Sequence, residues 1–129
     1  MVSYVNSGTV CGLKSYIIGV ETDASSGLPG FEMVGMLNSE VKEAKERVKV
    51  ALKNNGYPIP AIKITVNLSP ANIRKDGTKF DLPIAVSLLI AMGIIEQSNV
   101  DKVLFLGELS LDGELRFVNG ALPIAIKAK

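Results

Sequence analysis

The stretch Ile62-Lys63-Ile64-Thr65-Val66-Asn67-Leu68-Ser69 decides the fold. Apolar and polar residues alternate throughout, with Ile62, Ile64, Val66 and Leu68 on one side, which is the period of a half-exposed β-strand. Beyond a polar loop, Asp81 opens a segment in which Ile84 to Met92 is almost wholly apolar until Gly93. Asp81 can cap that helix, Pro83 is tolerated in its first turn, and so apolar a helix should be buried on nearly all sides. Upstream, Val41, Ala44, Val48, Ala51 and Leu52 recur at three- and four-residue steps and predict one helix from Ser39 to Gly56. Asn38 or Ser39 can cap its start, and Asn55-Gly56 followed by Pro58 and Pro60 ends it. Its solvent side carries Lys42, Lys45, Lys49 and Lys53 as one stripe, with Glu43 and Arg47 as a four-residue pair.

Weaker strand patterns occupy Val2 to Asn6, Tyr16 to Thr22 and Phe31 to Met36, separated by Gly and Ser clusters that read as turns. Val103 to Val118 reads as a hairpin around Asp112-Gly113. A three-residue connection, Asp112 to Glu114, keeps each face uniform by pairing Leu111 with Leu115, Leu109 with Phe117 and Ser110 with Arg116. A last helical pattern runs from Ala121 to Lys129 and stops without a terminating residue, as if cut from something longer. The sum is an α+β fold, helices packed on a mixed sheet.

A chain of 129 residues fits a single domain, 1–129. Its 47% hydrophobic and 21% charged residues are those of a globular protein. Fourteen Lys and Arg against thirteen Asp and Glu leave a net charge of +1, so any charged site must be local. The absence of histidine excludes Ser-His-Asp and Cys-His catalysis and every His-ligated metal site in this chain. One cysteine, Cys11, can form neither an internal disulfide nor a structural zinc cluster, which suits a cytoplasmic protein. No apolar run is long enough to suggest a membrane partner.

Three stretches stand out as more than scaffold. Gly27-Leu28-Pro29-Gly30-Phe31 with Val34-Gly35 sets a tight entry into a strand. The loop Asn67 to Pro83 concentrates Arg74, Lys75 and Lys79 around Asp76-Gly77, just before a helix N-terminus, an arrangement suited to phosphate oxygens. With no aromatic residue between Arg74 and Lys79, nucleic-acid binding there would be electrostatic and sequence-tolerant; the competing reading is a solvated loop. In the third stretch, Leu106 to Arg116, the carboxylates Glu108, Asp112 and Glu114 invite comparison with a magnesium site but are read as a solubility device on a hairpin. Gly12-Leu13-Lys14-Ser15 lacks the spacing of a phosphate-cradling loop, so no ATP site and no other cofactor is expected in this segment.

Taken together, these stretches resemble the N-terminal domain of the magnesium-chelatase-like AAA+ proteins, the ComM or YifB family. The resemblance rests on Gly27 to Phe31 with Val34-Gly35, Val41-Lys42-Glu43 through Glu46-Arg47-Val48, and Ile64 to Ala71. It continues through Arg74-Lys75-Asp76-Gly77, Phe80 to Ala85, Gly107-Glu108-Leu109 and Leu111-Asp112-Gly113. Leu37-Asn38 stands where members commonly carry Pro-Asp. The resemblance implies a fold like ribosomal protein S5 domain 2, followed after residue 129 by an AAA+ module holding ATP and Mg. It also implies a bacterial homo-hexameric motor that migrates DNA branches in natural transformation, so the partners expected are the chain's own AAA+ domain and DNA. The fold is also that of the Lon protease domain, whose Ser-Lys dyad maps onto Lys79 and the vicinity of Leu122. Neither residue can serve, and Thr78 without a base is inert, so the segment reads as non-catalytic.

Overall fold

The structure, a computed structural model, describes residues 2–129. Its centre is a four-stranded sheet of order β1-β2-β4-β3, formed by β1 (Val2–Cys11), β2 (Lys14–Ser25), β3 (Gly30–Val34) and β4 (Lys63–Ser69). β1 and β2 form an antiparallel hairpin, β2 is antiparallel to β4, and β3 lies parallel to β4, so the sheet is mixed as the sequence predicts. β1 and β2 run longer than their apolar patterns because the ladder continues through polar residues with partners of their own. Ser7 Oγ, for example, donates to the Phe105 carbonyl at 2.8 Å. β3 is shorter than expected. Gly35 has φ +124° and a Cβ there would sit 2.3 Å from the Leu68 carbonyl oxygen, so the chain turns away at that residue.

The predicted helix from Ser39 to Gly56 is divided at Glu43 into α1 (Ser39–Lys42) and α2 (Ala44–Asn54). Glu43 keeps right-handed dihedrals (φ −68°, ψ −19°), so the division re-aims the chain without reversing it. Asn38 is the N-cap, its Oδ1 accepting from the Val41 N–H at 3.2 Å. α3 (Asp81–Ala91) crosses the same sheet face and buries nine of its eleven residues. Its one hydroxyl is satisfied: Ser87 Oγ shares a 2.6 Å bond with Thr22 Oγ1, and Ser3 Oγ donates to the Ser87 carbonyl at 2.7 Å. The core closes where Val5, Ile18, Val20, Ile64, Val66 and Leu68 of the sheet meet Val41, Val48, Leu52, Ile84 and Leu88 of the helices. Burial of a side chain of this size stabilises by about 1.5–3 kcal/mol, so this layer supplies the main folding force.

Two expectations need correction. Asp81 does not cap α3. Phe80 holds the N-cap position with no side-chain bond, and the Asp81 carboxylate turns inward instead. The hairpin β5 (Glu108–Leu109) and β6 (Leu115–Arg116) does have a three-residue connection, but one step earlier: Leu109 pairs with Leu115 and Glu108 with Arg116. Ser110 closes the loop by donating its N–H to the Glu114 carbonyl (2.9 Å) and accepting the Glu114 N–H on Oγ (3.1 Å). Those two bonds outweigh the apolar match, and Leu111 and Phe117 are left exposed. The final helix α4 (Ala121–Ala128) covers the opposite sheet face at the β1–β2 hairpin, where Ile124 packs over Gly8.

Candidate functional site

The loop from Pro70 to Phe80 joins β4 to α3, and the structure separates the three cations it carries. Arg74 is exposed. Lys75 is fully buried: its ammonium donates to the Gly35 carbonyl at 2.6 Å and to the Pro70 carbonyl. Its backbone is engaged as well, Lys75 N–H donating to Met36 and Asn38 N–H donating to Lys75, both at 3.1 Å. Lys75 therefore ties the loop to the exits of β3 and β4, and burial without a carboxylate partner lowers its pKa. Lys79 is only 8% exposed. Its ammonium donates to the Asp76 carbonyl at 2.7 Å, lies 3.5 Å from the Asp76 carboxylate and sits 5.1 Å from the Phe80 ring centre.

Lys79 forms one wall of a cleft of about 300 Å³ with Asp76, Thr78, Glu40, Phe117 and Asn119. The cleft lies where the loop before α3 faces the segment before α4. Of the two places that the resemblance gives to a peptidase dyad, Lys79 and the vicinity of Leu122, Lys79 lies in this cleft with its ammonium engaged by Asp76, while Leu122 is 72% exposed on α4 and does not line it. No three Cys, Asp or Glu side chains gather to hold a metal ion among the described residues.

A buried charge pair joins α2 to the start of α3. Arg47 of α2 donates from Nε to Asp81 Oδ2 at 2.7 Å and from Nη2 to Asp81 Oδ1 at 3.0 Å, while Leu109 N–H donates to Oδ2 at 3.1 Å. Arg47 also reaches the Glu40 carbonyl at 3.2 Å; its contact with Glu43, the pair expected from spacing, is 4.0 Å. The Asp81 hydrogen bond raises the Arg47 pKa. Burial pushes the Asp81 carboxyl up, against the pull of Arg47 and the Leu109 amide. The sequence contained a signal for this pair: Arg47 lies between Ala44 and Ala51 at the border of the buried stripe, where a solvent-facing charge is out of place.

With this geometry, the chain matches a family. Residues 20–129 fit the family described as subunit ChlI of Mg-chelatase. It is 45% identical over 96% of its length to the uncharacterized protein YifB of Salmonella typhimurium and 44% identical over 98% to YifB of Escherichia coli. It is also 41% identical over 97% of its length to the competence protein ComM of Haemophilus influenzae. The chain belongs to the magnesium-chelatase-like family of YifB and ComM. It spans about a quarter of the length of these relatives, 24%, 25% and 25% respectively. No helix among the described residues is long and apolar enough to cross a membrane.

Proposed function

We propose that this chain is the non-catalytic N-terminal accessory domain, with a fold like ribosomal protein S5 domain 2, of a ComM/YifB-type AAA+ ATPase. In this reading an ATPase module following residue 129 holds ATP and Mg, the full-length protein is a cytoplasmic homo-hexamer, and this domain helps build the ring and engage DNA during branch migration in natural transformation. The observation that supports it best is Lys79, where the resemblance puts a peptidase nucleophile, with its ammonium held by Asp76. An unfolded protein substrate such as casein is expected to remain intact, and Thr78→Ala to change nothing.

DNA engagement would use the loop from Arg74 to Lys79. Arg74 is exposed for a phosphate contact, Lys79 needs to leave Asp76 to make one, and Lys75 holds the loop in shape. Because two of the three ammonium and guanidinium groups face inward, a second reading has support: a protein-interaction module that never touches DNA. Anisotropy of labelled single-stranded and branched DNA at two salt concentrations separates them. A DNA guide loses affinity with log salt at about 0.7–0.9 per neutralised phosphate and loses binding in Arg74→Glu/Lys79→Glu. Absent binding, or binding indifferent to both salt and substitution, selects the interaction module.

A further inference from the structure

The two edges of the sheet are treated differently. On β1, the Gln97 side-chain amide accepts the Tyr4 N–H at 2.8 Å and donates to the Tyr4 carbonyl at 2.6 Å, and Phe105 N–H donates to the Asn6 carbonyl at 2.9 Å. Covering of this kind prevents a strand edge from pairing with another chain. β3, at the opposite edge, pairs with β4 alone among the described residues. Gly30 N–H donates inward to the Ile62 carbonyl, so strand alternation turns the backbone groups of Phe31 and Met33 outward.

A groove runs beside this open edge, between α2 and the proline-rich turn before β4. It consists of two hollows of about 300 and 280 Å³ that share Lys49 and Ile59. Phe31, Ile59 and Pro60 give it an apolar lining, Lys49 and Lys53 stand exposed on its rim, and Glu46 is the single acidic residue that lines it. Half of the lysine stripe legible on the helix, Lys49 and Lys53, thus borders a groove.

We propose that β3 and this groove bind an extended segment of a partner protein in which acidic residues alternate with apolar ones. Strand addition at β3 supplies main-chain hydrogen bonds, the hollows receive alternate side chains, and the lysines attract the acidic residues. A second copy of this chain would bring the same lysines to the groove and be repelled, and nucleic acid would leave the strand edge and apolar lining unused. The inference goes beyond the proposed accessory role and does not rest on DNA binding.

The test is a two-dimensional amide NMR titration of the 129-residue chain. The probe is the hexapeptide Phe-Asp-Leu-Glu-Phe-Asp, compared with its counterpart bearing lysine at each acidic position and with oligothymidylate. The acidic peptide should shift amides in 30–34 and 49–53 and those of Ile59, Ala61 and Ile62, and slow exchange at Phe31 and Met33. Its affinity should fall by roughly fivefold or more in Lys49→Glu/Lys53→Glu, two surface changes that leave the core untouched. The proposal is overturned if the acidic peptide shifts nothing there, if the basic peptide binds as well, or if oligothymidylate alone uses these lysines. A concentration-dependent dimer abolished by the same substitutions would overturn it too, by assigning the edge to a second copy.

Discussion

Arg47 and Asp81, thirty-four residues apart in sequence, face each other across a two-pronged contact of 2.7 and 3.0 Å that joins α2 to α3 and, through the Leu109 amide, to β5. Asp81 is 1% exposed and Arg47 22%. Removing the arginine strands a buried carboxylate, so Arg47→Ala should cost about 3–5 kcal/mol in urea unfolding. Arg47→Lys should recover little, since one ammonium cannot reproduce the planar fork. The double variant Arg47→Met/Asp81→Leu leaves no charge unpaired and should be milder than the sum of the two single changes; strict additivity would count against the pairing.

Lys75→Met removes the donor to the Gly35 and Pro70 carbonyls and should cost about 2–4 kcal/mol near neutral pH. The sign of its pH dependence follows from burial, which lowers the folded-state pKa below 10.5. At pH below that lowered value both states carry the proton and the cost of burying the charge is constant. As pH rises from it towards 10.5, the folded state releases the proton while the unfolded state keeps it, so stability from this group increases. The stability gap between the natural chain and Lys75→Met should therefore widen with pH over that window. A gap that narrows would show that the ammonium is held more tightly folded than unfolded.

Gly35 and Gly12 both have positive φ, but only Gly35 lies against another backbone. Gly35→Ala should cost about 2–5 kcal/mol, combining left-handed strain with a contact that carbonyl oxygen cannot yield to. Gly12→Ala, at φ +61° with open space around it, should cost about 1–2 kcal/mol. Thermal unfolding of the two variants side by side reads the difference, and equal losses would remove the Leu68 carbonyl from the explanation.

A Cβ on Gly8 would sit 2.4 Å from Ile124 Cγ2, so the size of residue 8 determines how α4 docks. Gly8→Ala should destabilise by about 1–3 kcal/mol and Ile124→Ala by about 2–5 kcal/mol. In the double variant the added methyl enters the vacated space, and the combined loss should fall short of the sum by about 1 kcal/mol or more. Full additivity would mean that α4 is not seated on Gly8.

Much of the scaffold was legible in local pattern. The strict alternation of β4, the apolar run of α3, the cap of α1 at Asn38, one of two candidates, and the start of α4 at Ala121 all stand where one-dimensional reading placed them. Periodicity survives in these elements because each buries one defined face, or in α3 every face, so the pattern and the environment coincide. It failed where the hydrogen bonds of single polar residues overrode the apolar pattern. Ser7 extends β1 because it bonds to Phe105, and Ser110 shifts the hairpin register because its backbone and hydroxyl both bond to Glu114.

The cationic loop shows the same division. Composition and alternation determined by themselves that the chain is α+β, and the ordered set of short motifs carried the resemblance to the magnesium-chelatase-like family, since both reside in neighbouring residues and their spacing. Only the tertiary structure decided that Lys75 is a buried tie between two strand exits, that Lys79 is held by Asp76, and that Asp81 answers to Arg47 instead of to its own helix. A side chain's charge is written in the sequence, but whether that charge faces water or carbonyl oxygens depends on which distant backbone folds over it.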